Sequence, residues 1–188
     1  MKRYCKNVDI TDRDFISIAV RDCIKKKLSR KDTIELFCQY SGLPHNAIHR
    51  IVQHDYSKGY TDGLIETVID GIRQEIIYQS YVVKPIHYQT KIDGNSGKVR
   101  QIGIQDVKQQ LYDYIAAYGL WELFTAKIGY YQCSALENKG QIFGVKALKK
   151  WVDDHHIRYG IQSDIRHFYD TIDTDVLKDM LRRDVKNE

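Results

Sequence analysis

The sequence has little of what fixes a structure by covalent or compositional means. Two prolines in 188 residues leave long stretches free to form helices and exclude a polyproline or collagen-like chain. The four cysteines, Cys5, Cys23, Cys38 and Cys133, make no CxxC pair and no even spacing. That excludes a disulfide miniprotein and fits reduced thiols in a reducing compartment. No apolar run approaches the roughly 20 residues that span a bilayer, and the start MKRYCKNVDITDRD has no apolar signal-peptide core. These absences predict a cytoplasmic chain without a membrane partner. What is present is a 43% hydrophobic fraction, enough for a real core, in a length suited to one ordinary domain or two small ones.

Residues 1–82 read as helical. Phe15, Ile18, Ala19, Cys23, Ile24 and Leu28 recur at helical spacing, and Thr11 with Asp14 three residues later predicts an N-cap. A second helix is expected from Lys31 to Tyr40, stopping at Ser41-Gly42, and a third from Pro44. A long helix follows from Thr61 towards Tyr81. At Val82 the period changes. Residues 83–92 and 98–104 flank Asp93-Gly94-Asn95-Ser96-Gly97, a turn-forming run, and so predict a β-hairpin. Beyond it a helix is expected over residues 106–126, an irregular piece over 129–138 and a helix over 141–154. Ile157–Ile165 reads as a buried strand, and Thr174 is expected to cap a last helix.

The net charge of +4 is mild, but its distribution is uneven. Residues 84–110 carry Lys84, Lys91, Lys98, Arg100 and Lys108 against Asp93 and Asp106, three of the four net positive charges. A hairpin with cations on both arms can present a point charge and a bidentate fork to phosphates. Downstream, Ser163-Asp164-Ile165-Arg166-His167-Phe168-Tyr169-Asp170 puts a carboxylate at the end of an apolar run, suited to a hard divalent cation. Phosphoryl transfer uses both parts, metal on the reacting oxygens and cations on the remaining phosphates.

In this order, the two segments resemble the bacterial reverse transcriptases of group II introns, retrons, diversity-generating elements and phage-defence systems. The resemblance covers roughly residues 83–182. It carries through Lys91…Gly97-Lys98-Val99-Arg100-Gln101-Ile102-Gly103-Ile104, the helix start Asp106-Val107-Lys108-Gln109-Gln110 and the block around Asp164. The run Gly129-Tyr130-Tyr131-Gln132-Cys133-Ser134 is similar to the family's next block, near the template, without its Arg-Pro. The resemblance implies an α+β chain: a helical region over residues 1–82, fingers over 83–128 and the start of a right-hand polymerase palm over 129–188. It implies that Lys91 and Arg100 contact a deoxynucleoside triphosphate. It also implies that Asp164 and the Ile165 carbonyl hold Mg²⁺, and that Phe168 and Tyr169 flank the sugar, Tyr169 as the gate against a 2′-hydroxyl. RNA template and DNA primer are the implied partners. The family's YxDD turn is absent, and Asp153-Asp154, the one adjacent acidic pair, precedes Asp164. One aspartate cannot hold two metals, so the expectation is the front part of such an enzyme, inactive in polymerisation by itself.

Other readings stand beside this one. Residues 34–53 follow a helix-turn-helix pattern, with Gly42 at the turn, Cys38 facing it and Phe37, Leu43, Ile48 and Ile51 as the seam; its second helix, His45–Arg50, would read a DNA groove. A degenerate palm used only to bind nucleic acid, or a polymerase that copies no template, fits the same blocks. Singly, Lys91, Lys98 and Arg100 are also edge-strand cations, and an unfinished sheet edge predicts self-association. His45, His49 and His54 near Cys38 lack the CxxC knuckle of a zinc set and read as ordinary histidines. Tyr130 and Tyr131 read as packing.

Overall fold

Apolar residues at intervals of three and four build the first half of the chain. The computed structural model describes residues 2–55, 59–82, 84–95, 97–134, 136, 138–166 and 168–186, without the side chains of Tyr169 and Asp170. Its helices α1 (Arg13–Ile24), α2 (Lys31–Ser41), α3 (His45–His54) and α4 (Gly59–Ile77) follow the predicted periods. The cap of α1 is Asp12 and not Thr11: the Asp12 carboxylate accepts from the Phe15 N–H at 2.8 Å, while Thr11 is tied back to Asp9. A carboxylate directly before the helix satisfies an orphan N–H and meets the positive end of the dipole. At the other end of α2, Gly42 adopts φ 70°, the left-handed stop anticipated for it. Helix α4 ends at Ile77, four residues short of the expected Tyr81, because Tyr78-Gln79-Ser80-Tyr81 has no apolar face to bury; Tyr78 and Tyr81 are exposed.

These helices and α5 (Val107–Gly119) enclose a single apolar cluster. Ile16, Val20 and Ile24 of α1 meet Phe37 of α2, Ile48 of α3, Val68, Ile69 and Ile72 of α4, and Leu111 of α5, all shielded from water. Full burial of each such side chain contributes about 1.5–3 kcal/mol. Gly71 lets α4 approach α2, since a Cβ there would lie closer than 3 Å to three carbons of the Tyr40 ring. On the surface, Arg13 and Arg21 of α1 both reach Glu66 of α4, and each takes a second carboxylate, Asp70 at 2.8 Å and Asp62 at 2.9 Å.

The expected hairpin is formed by β1 (His87–Ile92) and β2 (Val99–Ile104), paired antiparallel, and both strands are exposed on both faces. The helix expected over 106–126 is two helices. Helix α5 ends at Gly119, Leu120 breaks the run, and α6 (Trp121–Lys127) begins anew. Glycine is a poor helix former, and Gly119 packs here beside Val8, Ile10 and Phe15. Residues Val8–Leu120 make one compact unit by their contacts, and Met1–Asn7 with Trp121–Glu188 make another.

The second unit holds α6, α7 (Gln141–His155), α8 (Phe168–Thr171) and α9 (Thr174–Asp184). Its N-terminal residues are tied in by a parallel bridge from Tyr4 to Val185 and by the Cys5 N–H, which donates to Glu122 at 2.6 Å. Asp184, 6% exposed, pairs with Arg183 and Lys127. Asp173, and not Thr174, caps α9, accepting from the N–H groups of Asp175 and Val176.

One expectation fails outright. Ile157–Ile165 is neither a strand nor buried: Tyr159 is 90% exposed and Ile161 98%. A strand needs a ladder partner for its N–H and C=O groups, and among the described residues β1–β2 is the one sheet. The fold is thus α+β, helices with a small two-stranded antiparallel sheet. Among the described residues no helix is long and apolar enough to cross a membrane.

Candidate functional site

The hairpin owes its register to its turn. The Asp93 N–H donates to the Lys98 carbonyl, the Gly97 N–H returns to the Asp93 carbonyl, and the Asp93 carboxylate accepts from the Asn95 N–H at 3.0 Å. Gly97 takes φ 65°, a conformation that costs glycine nothing. This turn aligns His87 with Ile104, Gln89 with Ile102 and Lys91 with Arg100. Directly opposed residues of an antiparallel pair project on the same face, so the two cations stand side by side. Arg100 also reaches back to Asp93 at 3.3 Å, with both side chains open to solvent to different degrees, 63% and 29%.

The base of the hairpin is seated in the helical unit. Lys84, ahead of β1, pairs with Asp106, beyond β2, at 3.1 Å, and Asp106 caps α5 through the Gln109 N–H. Asp32 of α2 accepts from the Val107 N–H at 2.9 Å, so α5 begins on a carboxylate from another helix. The next residue, Lys108, donates to Glu75 of α4 at 2.7 Å, and Glu75 also accepts from the hydroxyls of Tyr40 and Tyr112. Burial pushes the Glu75 carboxyl up, but the three donors outweigh it and hold it below the usual carboxylate value. Burial, aided by the Glu75 charge, pushes Tyr40 and Tyr112 up. Sequence reading missed Asp32 and Glu75. The signal for Glu75 was available: it falls three residues after Ile72, a carboxylate on the face that α4 buries.

Asp164 and Ile165 belong to the segment that forms no strand, and both are exposed. Phe168 opens α8 and is 48% exposed; Tyr169 lies in α8, and its side chain, on which the gate assignment depends, is outside the described residues. Among the described residues no three His, Cys, Asp or Glu side chains gather as a metal-binding group. A two-metal centre needs several carboxylate oxygens around both ions. Asp164 with the Ile165 carbonyl supplies too few, so the described residues do not furnish such a centre. Residues 34–53 form the expected helical pair, with Phe37 and Ile48 buried in its seam but Leu43 exposed. The first turns of α3 expose His45, Asn46 and Arg50.

The chain matches no family model, no curated protein and no solved structure.

Proposed function

We propose that the chain is the front part of an RNA-directed DNA polymerase of the reverse-transcriptase type, whose β1–β2 hairpin holds the triphosphate of a deoxynucleotide. The observation that carries this is the pairing of Lys91 with Arg100 across the hairpin. Like charges directly opposite one another destabilise an antiparallel pair, and Asp93 reaches only one of them. A polyanion lodged between the two converts that repulsion into attraction, with lysine as a point charge and arginine as a fork. The order of the chain supports the same reading: hairpin, helix, then Asp164 followed by Phe168 and Tyr169.

In this reading an RNA template and a DNA primer are the partners, Asp164 and the Ile165 carbonyl would be two ligands of a Mg²⁺ site that the described residues do not complete, and Phe168 and Tyr169 lie against the sugar. The residues of this chain bind and orient the nucleotide, and no primer extension is expected from the chain by itself. Charge-assisted hydrogen bonds contribute about 1.5–3 kcal/mol each. Lys91→Ala and Arg100→Ala should therefore each weaken binding of dGTP by roughly tenfold or more, measured by calorimetry or equilibrium dialysis. Binding unchanged in both variants refutes the assignment. A helix-turn-helix function for α2 and α3 is the weaker reading, since Arg50 is the one arginine or lysine of α3 and DNA affinity rests on neutralised phosphates.

A further inference from the structure

The Trp121–Glu188 unit carries a second cationic surface, of a different kind from the hairpin. Helix α7 places Phe143, Lys146, Lys150 and Trp151 at positions three, four and one apart, along one face of the helix. Tyr130 and Tyr131 lie against this face, and the six side chains line an open cavity of about 220 Å³. The rings meet edge to face: Tyr131 on Trp151 at 4.2 Å between centroids, Tyr130 on Tyr131 at 5.0 Å and Tyr130 on Phe143 at 5.8 Å. The Trp151 indole N–H donates to the Tyr131 hydroxyl at 3.3 Å. Packing does not bury the cluster, since Tyr130 is 68% exposed and Tyr131 48%.

Three lysines stand around these rings. Lys139 lies over the Tyr130 ring, its ammonium 4.6 Å from the centroid. Lys146 and Lys150 are exposed and form no ion pair among the described residues. A neighbouring open cavity of about 550 Å³ shares Phe143 and Lys146 and extends past Lys139 to Gly140. There α7 starts without a side-chain cap, its first N–H groups left for an anion. The carboxylates of the helix, Asp153 and Asp154, lie at the end away from Gly140 and follow Trp151 by two and three residues.

Exposed rings interleaved with lysines are what a single nucleic-acid strand requires: π-faces for bases and spaced cations for phosphates. A duplex offers no free base faces, and a small metabolite would use one ring and one charge. We propose that this cleft binds single-stranded nucleic acid, with bases stacked on Tyr130, Tyr131 and Trp151 and phosphates paired with Lys139, Lys146 and Lys150. The site uses neither the hairpin nor Asp164, so it can hold even if the polymerase reading fails.

The probe is a dodecamer of deoxythymidine, titrated into the full chain carrying Trp121→Phe so that Trp151 is the sole tryptophan. Stacking quenches indole fluorescence, so a saturable quench is expected. Trp151→Ala and Trp151→Phe remove the reporting indole and are followed by the anisotropy of a fluorescein-labelled dodecamer; the first should weaken binding by roughly five- to a hundredfold, and the second, which keeps a ring, should retain most of it. The Lys146→Gln/Lys150→Gln pair should reduce the slope of log K against log salt by about 1.4. Lys26→Gln/Lys31→Gln, in the other unit, should leave the slope as it is. Circular dichroism of each variant separates loss of binding from loss of fold. No quench, equal affinity for a duplex of the same length, or a salt slope indifferent to Lys146 and Lys150 would each overturn the assignment. Loss of dGTP binding in Lys91→Ala should leave this titration unchanged, which keeps the two proposals separate.

Discussion

Glu75 shows how much a single side chain can determine here. It joins α4 to α2 and α5 through Tyr40, Tyr112 and Lys108. A carboxyl whose pKa is lower folded than unfolded stabilises the fold above its unfolded value, and that contribution disappears as pH falls through the folded one. The melting temperature should therefore drop as pH is taken below the ordinary carboxyl value of 4.5. Glu75→Gln should lose about 1–2 kcal/mol at neutral pH and show a shallower acid slope. An acid slope the same in both proteins would contradict the role given to Glu75. Residue-scale features were the hardest to read in advance. Thr11 and Thr174 look like caps, yet the aspartates beside them, Asp12 and Asp173, take the bonds. The sequence shows that a capping residue is present, but which neighbour wins depends on a backbone geometry settled by packing.

At the scale of elements, two of the three glycines of α4 carry opposite expectations. Gly63 has open space where a side chain would go, whereas a Cβ on Gly71 would drive into the Tyr40 ring. Replacing glycine with alanine in a helix gains up to about 1 kcal/mol, and overpacking costs about 1–3 kcal/mol. Gly63→Ala should raise the denaturation midpoint in urea and Gly71→Ala should lower it; the same sign at both sites would refute the close approach of α2 and α4. The helical elements were legible because they bury one face, and the period of that face is written in the residues. The hairpin was legible for a different reason: the turn formers from Asp93 to Gly97 mark its centre, but centring that run would set Lys91 opposite Val99, and it is the Asp93–Lys98 hydrogen bond that shifts the register by one residue and brings Lys91 opposite Arg100. Ile157–Ile165 misled because its residues record only that a strand could form. A strand exists when a partner is present, and that information is not local.

At the scale of the whole molecule the two units differ in what they bury. Val8–Leu120 surrounds one continuous core, whereas α7 has no buried residue and leaves Ile142, Val145, Leu148 and Val152 in solvent. Local opening follows the supply of buried apolar contacts. Hydrogen exchange should therefore be slowest in α1, α4 and α5, and residues 157–166 should exchange at close to the rate of an unfolded chain; strong protection there would mean that a strand partner exists after all. The function proposed for the molecule depends chiefly on the hairpin, and one experiment addresses it directly. A photoreactive deoxynucleoside triphosphate, cross-linked to the full chain and mapped by mass spectrometry, should label residues 87–104 in competition with unlabelled dGTP but not with the nucleoside. Labelling confined to other segments, or competition by the nucleoside as strong as by the triphosphate, would contradict a nucleotide-holding hairpin.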